Sequence, residues 1–187
     1  CLKKKFTSMT PIWFENRQNP SYPHSFSAVL SILNLLKFWI AVGLGSGLSP
    51  KAPGTTGTIG ILPLLFFIWE GPLIVWILGF FVLCGLAIWS IPEAGRQLGE
   101  SDHGQIVIDE WAGMWLAACG ISLCTDLTVW IGLCLGFFGF RIFDITKLGL
   151  VSWCERKLAG AWGVLMDDIA AGGYVLILAL VFGIISG

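Results

Sequence analysis

The sequence predicts an all-helical, polytopic membrane protein with about five short crossings preceded by an N-terminal interfacial helix, and three observations predict it. Hydrophobic residues fill 56% of the 187 positions and charged residues only 12%, against roughly 45 to 50% and 25% in soluble domains. The apolar residues fall in six runs, at 26–42, 57–69, 72–91, 106–124, 127–143 and 169–186. When the last five runs are threaded across a bilayer from an inner N-terminus, all 11 Lys and Arg residues land on one face, the bias expected of cytoplasmic loops.

Taken in order, residues 1–25 are polar and carry Lys3, Lys4 and Lys5 without the apolar core that follows the basic residues of a signal peptide. They are read as a loose cytoplasmic tail, with 26–187 as a single membrane-embedded catalytic domain. The run 26–42 contains Asn34 and Lys37 and places Val29, Leu30, Leu33, Leu36 and Ile40 at helical spacing, the pattern of a helix lying in the interface. The run 57–69 is shorter than the roughly 20 residues of a perpendicular span and needs tilt or local thinning to cross. The loops at Glu70-Gly71 and Thr125-Asp126 then face outward and are too short to carry a site, so function belongs to the inner face. Trp39, Trp69, Trp76, Trp89, Trp111, Trp115, Trp130 and Trp153 lie near run ends, as interfacial anchors do. Cys84, Cys119, Cys124 and Cys134 sit inside apolar runs without a C-x-x-C pair and read as small packing residues. The net charge of −1 gives no reason to expect a nucleic acid partner.

Four features lie on the inner face. The loop Gly43–Thr58 (GLGSGLSPKAPGTTGT) is rich in glycine and hydroxyls. Its glycines would let N–H groups approach an anion, Lys51 adds positive charge, and Thr55 or Thr58 would cap the following helix. It matches neither a Walker A nor a dinucleotide-binding pattern, and a plain turn is the simpler account of it alone. The others are Asp109-Glu110 at the start of the 106–124 run, Arg141 and Asp144 where the 127–143 run ends, and Asp167-Asp168 at the start of the last run. Each pair is compatible with a solvated helix end. Together they place five carboxylates from three helices at one depth, where like charges repel unless cations neutralise them. Oxygen ligands without clustered Cys or His suit Mg²⁺ or a similar hard ion.

A divalent ion beside an anion cradle suits a phosphate group, and the depth suggests a phosphorylated lipid. The ion would polarise the phosphoryl oxygens while a free carboxylate takes a proton from water. Other phosphatase chemistries fit less well. Cys134 to Arg141 has six intervening residues where a cysteine phosphatase has five, no D-x-D motif is present at Asp144, and His24 and His103 are the only histidines.

Four blocks carry a resemblance to a known family: GLGSGLSPKAPGTTGT at 43–58, DHGQIVIDEWAGMW at 102–115, FRIFDITK at 140–147 and GVLMDDIAAG at 163–172. In order and spacing they resemble the phosphatidylglycerophosphatase A family of bacterial inner-membrane lipid phosphatases, over about residues 40 to 175. The resemblance implies Mg²⁺-dependent hydrolysis of phosphatidylglycerophosphate to phosphatidylglycerol and phosphate at the cytoplasmic face. It puts metal binding on Asp109, Glu110, Asp144, Asp167 and Asp168 and catalysis on Asp109, Glu110, Asp144 and Asp168. Gly45, Ser46, Gly47, Ser49, Lys51, Thr55, Thr58, Arg141 and Lys147 would then hold the substrate phosphate. Two stretches depart from the family's pattern: Lys147-Leu-Gly-Leu150 replaces Lys-Pro-Trp-Pro, and Gly160-Ala-Trp-Gly163 replaces a Gly-Gly pair. A cation transporter or channel subunit using the same carboxylates is the alternative from another class, and a lipid-binding scaffold is a third.

Overall fold

Apolar side chains at helical spacing, punctuated by Pro and Gly, give seven α-helices in the computed structural model, which describes residues 24–100 and 102–186. They are α1 (His24–Ala41), α2 (Pro53–Ile68), α3 (Leu73–Leu98), α4 (Ile108–Cys124), α5 (Val129–Thr146), α6 (Leu150–Lys157) and α7 (Ala161–Ser186), with a 3₁₀ segment at Gly43–Leu48. Among the described residues no strand occurs. The chain divides into two units, Cys1–Leu36 and Lys37–Gly187. The first contributes the opening turns of α1; the tail expected over 1–25 lies outside the described residues except for His24 and Ser25, which begin that helix. The second unit holds every other element.

Helix boundaries follow local chemistry. Pro53 opens α2, where its missing N–H costs nothing. Pro72 precedes α3, and Gly99 ends it with φ of 84°, the left-handed conformation that glycine adopts without strain. Lys147 closes α5 in the same conformation, its N–H donating to the Phe143 carbonyl.

Three helices, α3, α5 and α7, are long and apolar enough to cross a membrane. Full-length spans thus number three among the described residues, where the sequence reading counts about five crossings. At 16 and 17 residues, α2 and α4 extend only about 24 and 26 Å, below the roughly 30 Å of hydrocarbon. In α4 the shortness goes with burial. Ala112, Gly113, Ala117, Ala118 and Gly120 are buried on several sides of it, packed by α2, α3, α5 and α7.

Small residues make that packing possible. A Cβ at Gly172 of α7 would strike the Gly113 carbonyl, and one at Gly113 would strike the Asp168 carbonyl, so the two backbones touch as in small-residue membrane interfaces. The large apolar side chains point the other way. Ile74, Ile77, Leu78 and Phe81 of α3 and Ile177, Val181, Phe182 and Ile185 of α7 are exposed, an outer surface suited to lipid rather than water.

The structure corrects several expectations. Trp69, Trp76 and Trp115 are core residues rather than interfacial anchors. Their rings meet edge to face at 6.5 and 5.4 Å, and Trp115 Nε1 donates to the Trp76 carbonyl at 2.9 Å. Inward-facing aromatics near helix ends carry the same sequence signal as outward-facing ones. Trp39, Trp89, Trp130 and Trp153 are exposed, as anchors are. The last helix begins at Ala161 rather than 169, so Asp167 and Asp168 lie in its second turn and not at its start. Cys134 is exposed, whereas Cys84, Cys119 and Cys124 are partly buried and free. Helix α6 went unforeseen. It lies between the two stretches where the sequence departs from the family pattern, sharing Leu150 with the first, and its Leu150 N–H donates to the Tyr174 hydroxyl.

Candidate active site

The site is built around the first turn of α4. Val107, just before it, donates its N–H to the Ala41 carbonyl at 2.9 Å, and Trp111 Nε1 donates to the Gly57 carbonyl at 2.8 Å. Cβ atoms placed at Gly43, Gly47 or Gly57 would all collide with the Val107 side chain. The glycines of the 43–58 loop therefore let the end of α1, the 3₁₀ segment and the start of α2 close around one valine. Two of their N–H groups are committed: Gly45 and Gly47 both donate to the Val42 carbonyl, at 3.1 and 3.0 Å.

On the next residue, Glu110, three elements converge. Its Oε2 accepts a 2.7 Å hydrogen bond from Thr58 Oγ1 of α2, and its Oε1 lies 3.2 Å from Arg141 Nη1 of α5. Arg141 Nη1 is also 2.7 Å from Asp144 Oδ2, one helical turn on. Gly54, in the first turn of α2, is close enough that a Cβ there would reach Glu110 Oε1 and Arg141 Nη2. The unpaired N–H end of α2 thus adjoins a guanidinium, a pairing that favours anions. Arg141 also has capacity to spare, because its buried Nε makes no hydrogen bond.

The other acidic residues sit against this core. Asp109 and Asp168 are each 5% exposed and Asp167 9%. Asp168 is within electrostatic reach of Asp109, Glu110, Asp144 and Asp167, and its carboxyl group adjoins that of Asp144. Lys147 Nζ, 3.9 Å from Asp167 Oδ2, compensates part of this charge. Asp109 Oδ1 is buried with no hydrogen-bond partner. A buried acceptor left bare is costly, and a proton or a cation relieves it.

The fit to a hard divalent ion rests on this donor set. It consists of oxygen ligands only, buried and negatively charged, with one orphaned acceptor on Asp109. Among the described residues no three His, Cys, Asp or Glu side chains already form a tight ligand shell. Arg141 holds Glu110 and Asp144 instead.

Of the residues singled out in the sequence, Asp109, Glu110, Asp144, Asp167, Asp168, Arg141, Thr58 and Lys147 come together. Thr55 lies in the first turn of α2, and Lys51 is exposed just before it. Neither Thr55 nor Thr58 caps α2, because the helix already starts at Pro53; Thr58 Oγ1 lies beside the Gly54 carbonyl within the helix. Ser46 and Ser49 use their hydroxyls locally, on the Gly43 and Lys51 carbonyls. Sequence reasoning missed Asp102, whose charge reaches Asp144 and Asp167; its place in the DHGQIVIDEW block was the available signal. It also missed Gly54, which no acidic or basic pattern marks.

Comparison with known proteins identifies the family. The family model described as Phosphatidylglycerophosphatase A matches residues 39–183. The chain is 36% identical to the Phosphatidylglycerophosphatase A of Escherichia coli (strain K12) over 137 residues, covering 71% of this chain and 75% of that one. It is 34% identical to the protein of the same name from Haemophilus influenzae over 151 residues, covering 79% and 88%. A Bacteroides thetaiotaomicron protein, provisionally named a phosphatidylinositol-3-phosphatase, is 33% identical over 160 residues, covering 79% and 94%. No solved structure matches the chain. The chain belongs to the phosphatidylglycerophosphatase A family of phosphatases.

Proposed function

We propose that this protein hydrolyses the phosphate monoester of phosphatidylglycerophosphate, releasing phosphatidylglycerol and inorganic phosphate in phospholipid biosynthesis, and that it requires Mg²⁺. The observation that carries the reading is a cluster at one end of the helices in which Arg141 pairs with Glu110 and Asp144, Asp168 is within electrostatic reach of Asp109, Glu110 and Asp144, the Arg141 Nε has no partner, and Asp109 holds an orphaned acceptor. The guanidinium suits a phosphate and the orphaned acceptor a cation. Arg141, the N-terminal turn of α2 with Thr55, and the side chains of Lys51 and Lys147 would hold the phosphate. Asp109, Asp144, Asp167 and Asp168, with Glu110, would hold Mg²⁺, whose contribution when bound is to draw charge from the phosphoryl oxygens. One carboxylate of this set takes a proton from the attacking water as its oxygen bonds to phosphorus. The bond from phosphorus to the glycerol oxygen breaks, and that oxygen leaves with a proton. Thr58 fixes Glu110 so that Arg141 keeps its orientation.

The site is assigned to the cytoplasmic face of the bacterial inner membrane. Basic residues near an anionic cytoplasmic leaflet gain about 1 kcal/mol each, and threading from an inner N-terminus puts all 11 there. The transporter alternative has less support, because the buried carboxylates gather at one end rather than along a path through the spans, with Glu70 and Asp126 exposed at the other.

The test is phosphate release by purified protein in mixed micelles, with Mg²⁺ and with EDTA. Phosphatidic acid and phosphatidylinositol 3-phosphate are run beside phosphatidylglycerophosphate. Mg²⁺-dependent release selective for the last is expected, and equal release with EDTA removes the metal from the reading.

A further inference from the structure

Below the site, α2 and α5 enclose an apolar groove of about 630 Å³, within the range of small-ligand sites. Ile59, Leu62 and Phe66 form one wall, and Leu133 and Phe137 form much of the other. Its upper end points toward the phosphate-binding end: Ile59 lies one helical turn after Thr55 on α2, and Phe137 one helical turn before Arg141 on α5. Its lower end is closed by Phe66 and Trp130, whose ring centroids are 4.7 Å apart. From Ile59 to Phe67, and from Trp130 to Phe138, the walls extend about 12 Å at 1.5 Å per residue. That is most of the roughly 15 Å of hydrocarbon in one leaflet.

We infer that this groove binds one acyl chain of the phosphomonoester lipid, seating it so that its headgroup reaches Arg141. The inference rests on the proposed function for the identity of the headgroup, and on the groove's place one helical turn from Thr55 and Arg141 for its occupant. Pro63 contributes to the groove's shape: inside α2 it removes one backbone hydrogen bond and keeps a compact ring on this wall.

The experiment uses the full chain in phosphatidylcholine vesicles with phosphatidylglycerophosphate carrying a diazirine near the middle of one acyl chain. Adducts concentrated on Leu62, Phe66, Cys134 and Phe137, and displaced by unlabelled phosphatidylglycerophosphate, support the groove. Adducts spread equally over α3 and α7 overturn it, as does disulfide capture of Cys134 between two copies that abolishes labelling, since a second copy would then be the occupant. Kinetics provide an independent readout. Filling the groove with Cys134→Trp or Leu62→Trp is expected to raise KM about tenfold for a dioleoyl substrate, the scale of discrimination by an apolar pocket, with kcat and the KM of a dihexanoyl substrate unchanged. Equal effects on both substrates overturn it. Displaceable groove labelling without hydrolysis of any lipid would remove the proposed function and leave the groove; hydrolysis without groove labelling would do the reverse.

Discussion

Thr58 Oγ1 donates a 2.7 Å hydrogen bond to Glu110 Oε2, joining the start of α2 to the start of α4 beside the guanidinium of Arg141. The hydroxyl is fully buried, so the bond has no water to replace it. Thr58→Val keeps the shape and leaves the carboxylate short of a donor, which costs about 1 to 3 kcal/mol. A lowered unfolding temperature in detergent and reduced phosphate release are expected. Wild-type values for both would show that the bond orients nothing.

Asp109, Asp144 and Asp168 come from three helices and share one field. Asp→Asn at each position preserves volume and removes the charge. Phosphate release is expected to fall at least about 100-fold in each variant, the lower range for a lost acid-base group, while each still inserts into membranes. Near-normal turnover in all three would eliminate the carboxylates as the reaction's machinery.

Arg141 is placed by two carboxylates yet keeps a buried Nε free. Arg141→Lys retains the charge without the planar fork. Its KM is expected to rise by about tenfold, equivalent to 1.4 kcal/mol, with the fold retained by circular dichroism. Arg141→Ala should also lower thermal stability, because Glu110 and Asp144 lose their buried partner.

Gly113 and Gly172 bring the α4 and α7 backbones into contact. Gly172→Val has no room for its side chain and is expected to destabilise the protein by more than about 2 kcal/mol, as overpacking does. Folded protein recovered at wild-type yield would contradict this contact.

The sequence carried the site better than the membrane topology. Charged residues in apolar surroundings are rare, so Asp109, Glu110, Asp144, Asp167 and Asp168 stood out, and all five converge. Topology was harder to read because a helix wrapped by its neighbours, as α4 is, takes apolar residues just as a lipid-facing helix does. Hydrophobicity alone does not separate these cases, so α4 was counted with the full crossings. The tryptophans misled in the same way, since Trp76 and Trp115 near helix ends face inward. Helix α6 escaped notice because eight residues with mixed polarity give too little periodicity to mark. The glycine-rich loop was legible as special, but its glycines at 43, 47 and 57 serve close packing around Val107, a need that depends on a residue fifty or more positions away.

Helix α7 is the last described element to leave the ribosome, and it brings Asp167 and Asp168 together with the wall that seals α4. Until it docks, the acidic groups of α4 and α5 lack two of the five carboxylates, and α4 lacks one of its four packing neighbours. Because Asp168 and Gly172 lie one turn apart on α7, the contact that brings the two backbones together also delivers the carboxylate that faces the other four.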